Sequence, residues 1–273
     1  MEKLSAHVDF HESSGLFHAS LTQAMGTRLD AIIVDADKNK SVRCWEQIRN
    51  EIFRLSKSFS KFDKESELYR VNQLANRAPI AVSDTLWSAL VDCKKYHQWT
   101  VGYFDISQRN YDHVVLNTEN HTVYFTEKSL QLDLGAYAKG YALERIRPIL
   151  LSEDCRCALI NFGNSSVLAV GAHPHGDTWP IGINDPYHPQ QLLGSVSLKD
   201  STLSTSGNTP NHTNHILNPF TGKPTDARKI VSVKANNAID AEALSTTLMI
   251  LPDHLMASTL AHFAVDEYFI FDL

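Results

Sequence analysis

Lys139 stands between two glycines in the stretch LDLGAYAKGYALE, Leu132 to Glu144, where the hydrophobic period changes. Leu130, Leu132 and Leu134 alternate as on a half-buried strand, whereas Tyr141, Leu143 and Ile146 no longer fit that period and read as a helix. Free N–H groups at a helix start attract anions, glycines let a ligand approach the backbone, and the lysine adds positive charge, so the chemistry indicated is phosphate binding. The order Lys-Gly with no hydroxyl after it excludes a Walker A loop. The same residues also fit a plain glycine turn with a solvated lysine. A second group is AEALSTT, where Glu242 and Thr246 are four apart and project from one helix face beside Ser245. A carboxylate and a hydroxyl there could share a hard cation such as magnesium, which prefers oxygen ligands and often completes its shell with substrate phosphates. A small-residue helix with a solvated glutamate fits equally. A third is NHILNPFTGKP, in which His215 precedes a tight Asn-Pro and Thr-Gly turn and could act as acid or base. His212 with His215 would bind a transition metal only with a third ligand from elsewhere.

These side chains need elements to hold them. MGTRLDAIIVDAD predicts an opening strand with Leu29, Ala31 and Ile33 on one face. SVRCWEQIRNEIFRLSKSF spaces Trp45, Ile48, Ile52, Leu55 and Phe59 by three and four, the period of an amphipathic helix. Ser83 or Asp84 caps a second helix carrying Leu86, Leu90, Cys93 and Trp99. HTVYF and SLQLDLG are expected to pair as strands across TEK, and the helix after them is expected to kink or stop near Pro148. CALINFG, SVLAVGA, WPIGIND and GSVSL predict an antiparallel meander, and LSTSGNTPNHTNHILNPFTGKPTD a long functional loop. KIVSVKA returns to strand, AIDAEALSTTLMIL and PDHLMASTLAHFA to helix, and EYFIFDL closes as a strand. The fold expected is α+β, mainly antiparallel sheet with flanking helices and a cleft where the lysine turn faces the histidine loop.

Composition narrows the function further. The 273 residues carry 25 basic and 31 acidic side chains, a formal charge of -6, with no basic run to track a phosphate backbone, which argues against nucleic acid. No apolar run reaches membrane-spanning length, the first twenty residues lack a signal-peptide core, and four cysteines fit a reducing compartment. The expectation is a cytoplasmic protein.

Taken in order, MGT at Met25, FDKESELYRVN, GYFDIS, LDLGAYAKGYALE, INFGNSSVLAVG, STSG, HILNPFTGKP and AEALSTT resemble the ApbE family of flavin transferases, over nearly the whole chain. The resemblance implies an ApbE-like domain over residues 21–273 after an N-terminal extension, 1–20, and a cleft for FAD between lobes. It implies magnesium-dependent transfer of FMN from FAD to a Thr or Ser hydroxyl of a partner protein, with release of AMP and covalent flavinylation of that acceptor. By the same resemblance Lys139 and Gly135 hold the pyrophosphate, the Ala136 carbonyl with Glu242 and Thr246 binds Mg2+, and His215 lies near the reacting phosphate. Met25, Asn72, Phe104, Asp105, Gly163 and Ser206 fall in segments lining the family's FAD cleft. Alternatives are an FAD pyrophosphate hydrolase giving FMN and AMP, or a non-catalytic FAD-binding protein. The chain departs from the family at Glu242, where aspartate is usual and the added methylene pushes the carboxylate outward. It departs again at Gly163-Asn164, where a paired glycine is usual, and at NHTN, which stands where family members tend to carry a basic residue a little before the histidine.

Overall fold

A computed structural model describes residues 6–210, 213 and 215–273. His212, and Asn211 and Asn214 of NHTN, lie outside the described residues. Strands β1 (Ala6–His11), β2 (Leu16–Ala24) and β3 (Thr27–Val34) come first, then helices α1 (Lys38–Phe59) and α2 (Glu67–Leu74), strand β4 (Ile80–Ala81) and helix α3 (Asp84–Trp99). Strands β5 (Val114–Asn117) and β6 (Thr122–Phe125) precede helix α4 (Ala138–Ser152). After it run β7 (Ala158–Phe162), β8 (Ser166–Val170), β9 (Trp179–Asn184), β10 (Leu192–Leu198), β11 (Thr202–Gly207), β12 (Leu217–Asn218), β13 (Lys223–Pro224) and β14 (Lys229–Ala235). Helices α5 (Ala238–Leu248) and α6 (Asp253–Leu260) and strand β15 (Val265–Asp272) complete it.

Eight strands form one sheet in the order β1-β2-β3-β7-β8-β11-β14-β15, with every neighbouring pair antiparallel. Side chains alternate across it, and both faces are covered. Toward one face Leu29, Ala31, Ile33, Ile160, Leu168, Val170, Val231 and Val233 pack with Trp45, Ile48 and Ile52 of α1, Ile146 and Leu150 of α4, and Leu244 and Leu248 of α5. Toward the other, Val167, Ala169, Leu203 and Ile230 meet Trp179, Ile183, Val196 and Leu198 of the β9–β10 ribbon. Two covered faces explain why β8 is buried along its whole length.

The structure revises several expectations. β3 is the third strand, because β1 and β2 precede it and Phe17, Ala19 and Leu21 of β2 are core residues. Residues 6–20, expected as an extension, are thus strands of the main sheet. β6 pairs with β4 and β5, and the Leu130–Leu134 segment joins no ladder although its leucines are buried alternately. Helix α4 continues past Pro148 to Ser152, since buried Ile146 and Leu150 on either side hold the helix on the core despite the missing N–H. The meander splits: β7 and β8 stay in the sheet, while β9 and β10 form a separate ribbon on its far face. The first part of the expected long loop is β11, because Thr202, Ser204 and Ser206 face helix α5 and Leu203 faces the ribbon.

Candidate functional site

A cleft of 820 Å³ opens at one end of the eight-stranded sheet, within the size range of ligand pockets. Its floor is made of bends between strands. Met25 and Gly26, both at positive φ, form the two-residue turn between β2 and β3, the geometry expected of a type I′ hairpin. Gly163 turns β7 into β8 at φ +68, and a Cβ there would lie 2.8 Å from Thr27 Oγ1, so the β7–β8 bend abuts the start of β3 and position 163 favours glycine. The ends of β11 and of the β9 ribbon add Thr205, Ser206, Gly182, Ile183 and Asn184.

One wall is the start of α4. Helices α1, α2, α3 and α5 each have an N-cap side chain accepting from their first amides, from Asp37, Ser66, Ser83 and Asn237 respectively. Helix α4 has none, and Gly135, Ala136, Ala138 and Lys139 line the cleft where its amides begin. An uncapped helix start beside a cavity offers N–H donors and the positive end of the dipole to an anion. The preceding segment is held in place from outside the cleft. Asn72, which is 7% exposed, donates from its side-chain amide to the Leu132 carbonyl at 2.9 Å and accepts the Leu132 N–H at 2.8 Å. An amide side chain therefore takes the part of the missing neighbouring strand. Asp133 Oδ1 accepts the Gly135 N–H at 2.9 Å, and its Oδ2 takes the Lys61 ammonium at 2.6 Å, which fixes the bend into α4.

Helix α5 supplies the back of the cleft. Glu242, 3% exposed, accepts the Lys139 ammonium at Oε1 and the Ser166 hydroxyl at Oε2, and Ser204 also lies 3.2 Å from Oε2. Ser206 links Ser245, at 2.9 Å, to Thr246, at 3.1 Å. Lys139 reaches Glu242 because α4 and α5 touch at Gly140, where a Cβ would stand 2.6 Å from the Ala238 carbonyl oxygen and 2.9 Å from Glu242 Cβ. The ion pair offsets the cost of burying the carboxylate.

The lining is completed by His215, Ile216, Leu217 and Pro219 and by Tyr103 to Ile106, where the Ile106 carbonyl accepts the Asp133 N–H at 2.7 Å and so joins this loop to the segment before α4. The Tyr103 and Phe220 rings, 4.7 Å apart, join these two loops. His97 Nδ1 holds the Phe104 carbonyl at 3.0 Å and Asp105 Oδ1 accepts the Ser107 N–H at 2.7 Å in the first loop, while in the second the Ile216 carbonyl accepts the Thr225 N–H at 2.8 Å and Asn218 Oδ1 accepts the Phe220 N–H at 3.0 Å.

Of the residues singled out in the sequence, Met25, Phe104, Asp105, Gly135, Ala136, Lys139, Gly163, Ser206, His215, Glu242 and Thr246 line this one cleft. Asn72 does not; its place is the backbone clamp on Leu132. Sequence reasoning missed Gly182, Ile183 and Asn184, since IGIND reads as an ordinary strand until the ribbon folds over the sheet. It also missed Ser166 and Ser204, whose only signal is a hydroxyl in an otherwise buried, strand-like run.

A cation could be held by the Ala136 carbonyl, Glu242 and Thr246. The donors in reach are all oxygen, which suits magnesium, and the described residues contain no group of three or more His, Cys, Asp or Glu that would instead indicate a transition metal. One carboxylate with neutral oxygens leaves positions for water and substrate phosphate. The residues therefore fit. Among the described residues no helix is long and apolar enough to cross a membrane.

A sequence model described as the ApbE family matches residues 25–110 and 107–269. An FAD:protein FMN transferase of Klebsiella pneumoniae is 26% identical over 245 residues, covering 74% of this chain and 75% of that protein. One of Treponema pallidum is 33% identical over 171 residues, 55% of this chain and 46% of that protein. The crystal structure of the ApbE protein of Thermotoga maritima superposes with a TM-score of 0.80 at 22% identity, covering 98% of this chain and 94% of that one. The flavin transferase ApbE of Vibrio cholerae gives 0.80 at 20% identity, with 94% and 97% covered. At these identities the likeness to the two structures is one of fold.

Proposed function

The chain belongs to the ApbE family, and from that premise we propose that it is an FAD:protein FMN transferase. It moves FMN from FAD to a Thr or Ser hydroxyl of a partner protein and releases AMP. The observation that supports the reading is the cleft itself, which is lined by the uncapped start of α4 with Lys139, by His215, and by Glu242 with Thr246. Curated relatives bearing the transferase name support it.

In the reaction the acceptor hydroxyl oxygen bonds to the phosphorus of the FMN half, the bridging P–O bond breaks, and AMP leaves. The hydroxyl proton passes to His215 or to a phosphate oxygen; His215, exposed on its loop, serves either as that base or as a steering contact. Lys139 has three N–H donors, of which Glu242 and the Gly135 carbonyl at 3.4 Å take two, so one remains for the pyrophosphate. The amides at the start of α4 add fixed dipoles that offset charge on the leaving group. Mg2+, held by the Ala136 carbonyl, Glu242 and Thr246, supplies when bound a hard positive charge toward the phosphates. The hollow positions flavin and acceptor, and positioning is most of what phosphoryl transfer requires.

The test is incubation with FAD and magnesium, with and without an acceptor domain bearing a reactive threonine, followed by AMP release and in-gel flavin fluorescence after denaturation. Fluorescence on the acceptor together with AMP is expected. AMP without labelled acceptor identifies a hydrolase, and retained FAD without AMP identifies a binding protein; either result replaces the proposal.

A further inference from the structure

Ser166 on β8 and Ser204 on β11 are direct cross-strand partners in the sheet, and both are all but buried, at 1% and 3% exposed. Their neighbours on the same face of β8, Leu168 and Val170, belong to the apolar core under the helices. A hydroxyl buried in such a layer is costly unless it is bonded. Both hydroxyls reach one atom, Glu242 Oε2, with Ser204 also 3.2 Å from Ser245 Oγ, while the other oxygen, Oε1, takes Lys139. We infer that Ser166 and Ser204 are positioning residues for Glu242: they pin its inner oxygen to the sheet, so that the long side chain presents the outer oxygen alone to a divalent cation.

The argument rests on length and freedom. Glutamate has one more rotatable bond than aspartate, and a ligating carboxylate gains affinity when its orientation is set before the ion arrives. Two donors from adjacent strands, at one register position, fix that orientation on a rigid element. The pair also answers the departure at Glu242, because drawing Oε2 inward onto the sheet counters the outward reach of the added methylene. An aspartate on the same helix turn, one methylene shorter, could not meet both serines and Lys139 together. Glu242, Ser166 and Ser204 therefore work as a unit, and exchanging one member alone is harmful.

This inference rests on the cation reading given under Proposed function, and the experiment separates the two. Mn2+ binding to the full chain is titrated by electron paramagnetic resonance, with and without FAD, for the parent, Ser166→Ala, Ser204→Ala, the double serine variant, Glu242→Asp, and Glu242→Asp in the double variant; thermal melts check folding. In the glutamate background, losing the serines is expected to weaken Mn2+ by about tenfold or more, the usual effect of removing groups that orient a metal ligand. The turnover number at saturating metal is expected to stay within about threefold, as for a residue that acts on ligand affinity. In the aspartate background the same loss is expected to change Mn2+ affinity by less than about twofold, since the shorter carboxylate can no longer be held by both serines while it serves the cleft. Equal loss in both backgrounds, or no loss in either, overturns the positioning role while the cation site stands. If the double variant does not fold, the single variants carry the same comparison. A parent that binds FAD yet no Mn2+ under any condition overturns the cation reading, and the inference falls with it.

Discussion

Replacing Asn72 by alanine tests the account of how the cleft wall at the start of α4 is held. The side chain makes two hydrogen bonds, 2.9 and 2.8 Å, to the carbonyl and N–H of Leu132, a fully buried residue whose backbone has no strand beside it. Water does not reach this site. Alanine therefore leaves a buried donor and a buried acceptor unpaired, each costing about 1–3 kcal/mol, or roughly 2–5 kcal/mol together after partial relaxation. At about 2–4 °C per kcal/mol for a chain near this size, the melting temperature should fall by about 4–20 °C. Asn72→Asp keeps the acceptor but sets an oxygen against the Leu132 carbonyl, so near neutral pH it should be at least as harmful. Affinity for FAD should weaken as well, because Asp133 and Gly135 lie directly downstream of the clamp. Thermal denaturation followed by circular dichroism, with FAD titrated by fluorescence quenching, reads both effects. Weakened FAD binding with a melting temperature unchanged within about 2 °C would refute the reasoning, since Asn72 would then act as a ligand contact.

Other perturbations reach different parts of the molecule. Gly140→Ala places a methyl group against the Ala238 carbonyl and Glu242 Cβ, so it should cost about 1–3 kcal/mol in urea unfolding and weaken FAD binding by moving Lys139 off Glu242. His215→Ala should lower acceptor labelling about 10²-fold or more if the imidazole transfers the proton, with FAD affinity nearly unchanged in equilibrium titration. Glu51 is held below its usual carboxylate range first by the Arg54 guanidinium and also by Arg145 of α4, against the opposing effect of burial. A depressed folded-state value means that this stabilisation is present above 4.5, the ordinary value, and is lost as pH falls through the folded one. Glu51→Gln should therefore cost about 1 kcal/mol at pH 7 after allowing for the half-exposed arginines, and in denaturation series the gap to the parent should close as the pH is taken down through the depressed folded-state value.

What the sequence disclosed depended on whether the signal was local. Helix α1 was legible because six apolar residues between Val42 and Phe59 share one stripe, and β3 because Leu29, Ala31 and Ile33 alternate into the core. The cleft was legible as motifs, since Lys139, Glu242 and His215 are chemically conspicuous and a family resemblance joined them. The backbone bonds of Asn72 were not legible, because a polar residue in a motif fits a ligand contact and a backbone contact equally, and the bonds to Leu132 emerge only from the structure. The split of β9 and β10 from the meander was not legible, because either neighbour satisfies their backbone bonds and the choice is made by Trp179 and Leu198 packing on the far face. Ser166 and Ser204 gained meaning only once the register placed them opposite one another.

The floor of the hollow is built from tight bends in which Thr27 and Gly163 are already in van der Waals contact. Such a base leaves no slack: inserting or deleting a residue in either bend would break the join and alter the hollow's depth. A change in chain length is absorbed more readily beside Ile216, Leu217 and Pro219, which line the hollow outside the eight paired strands.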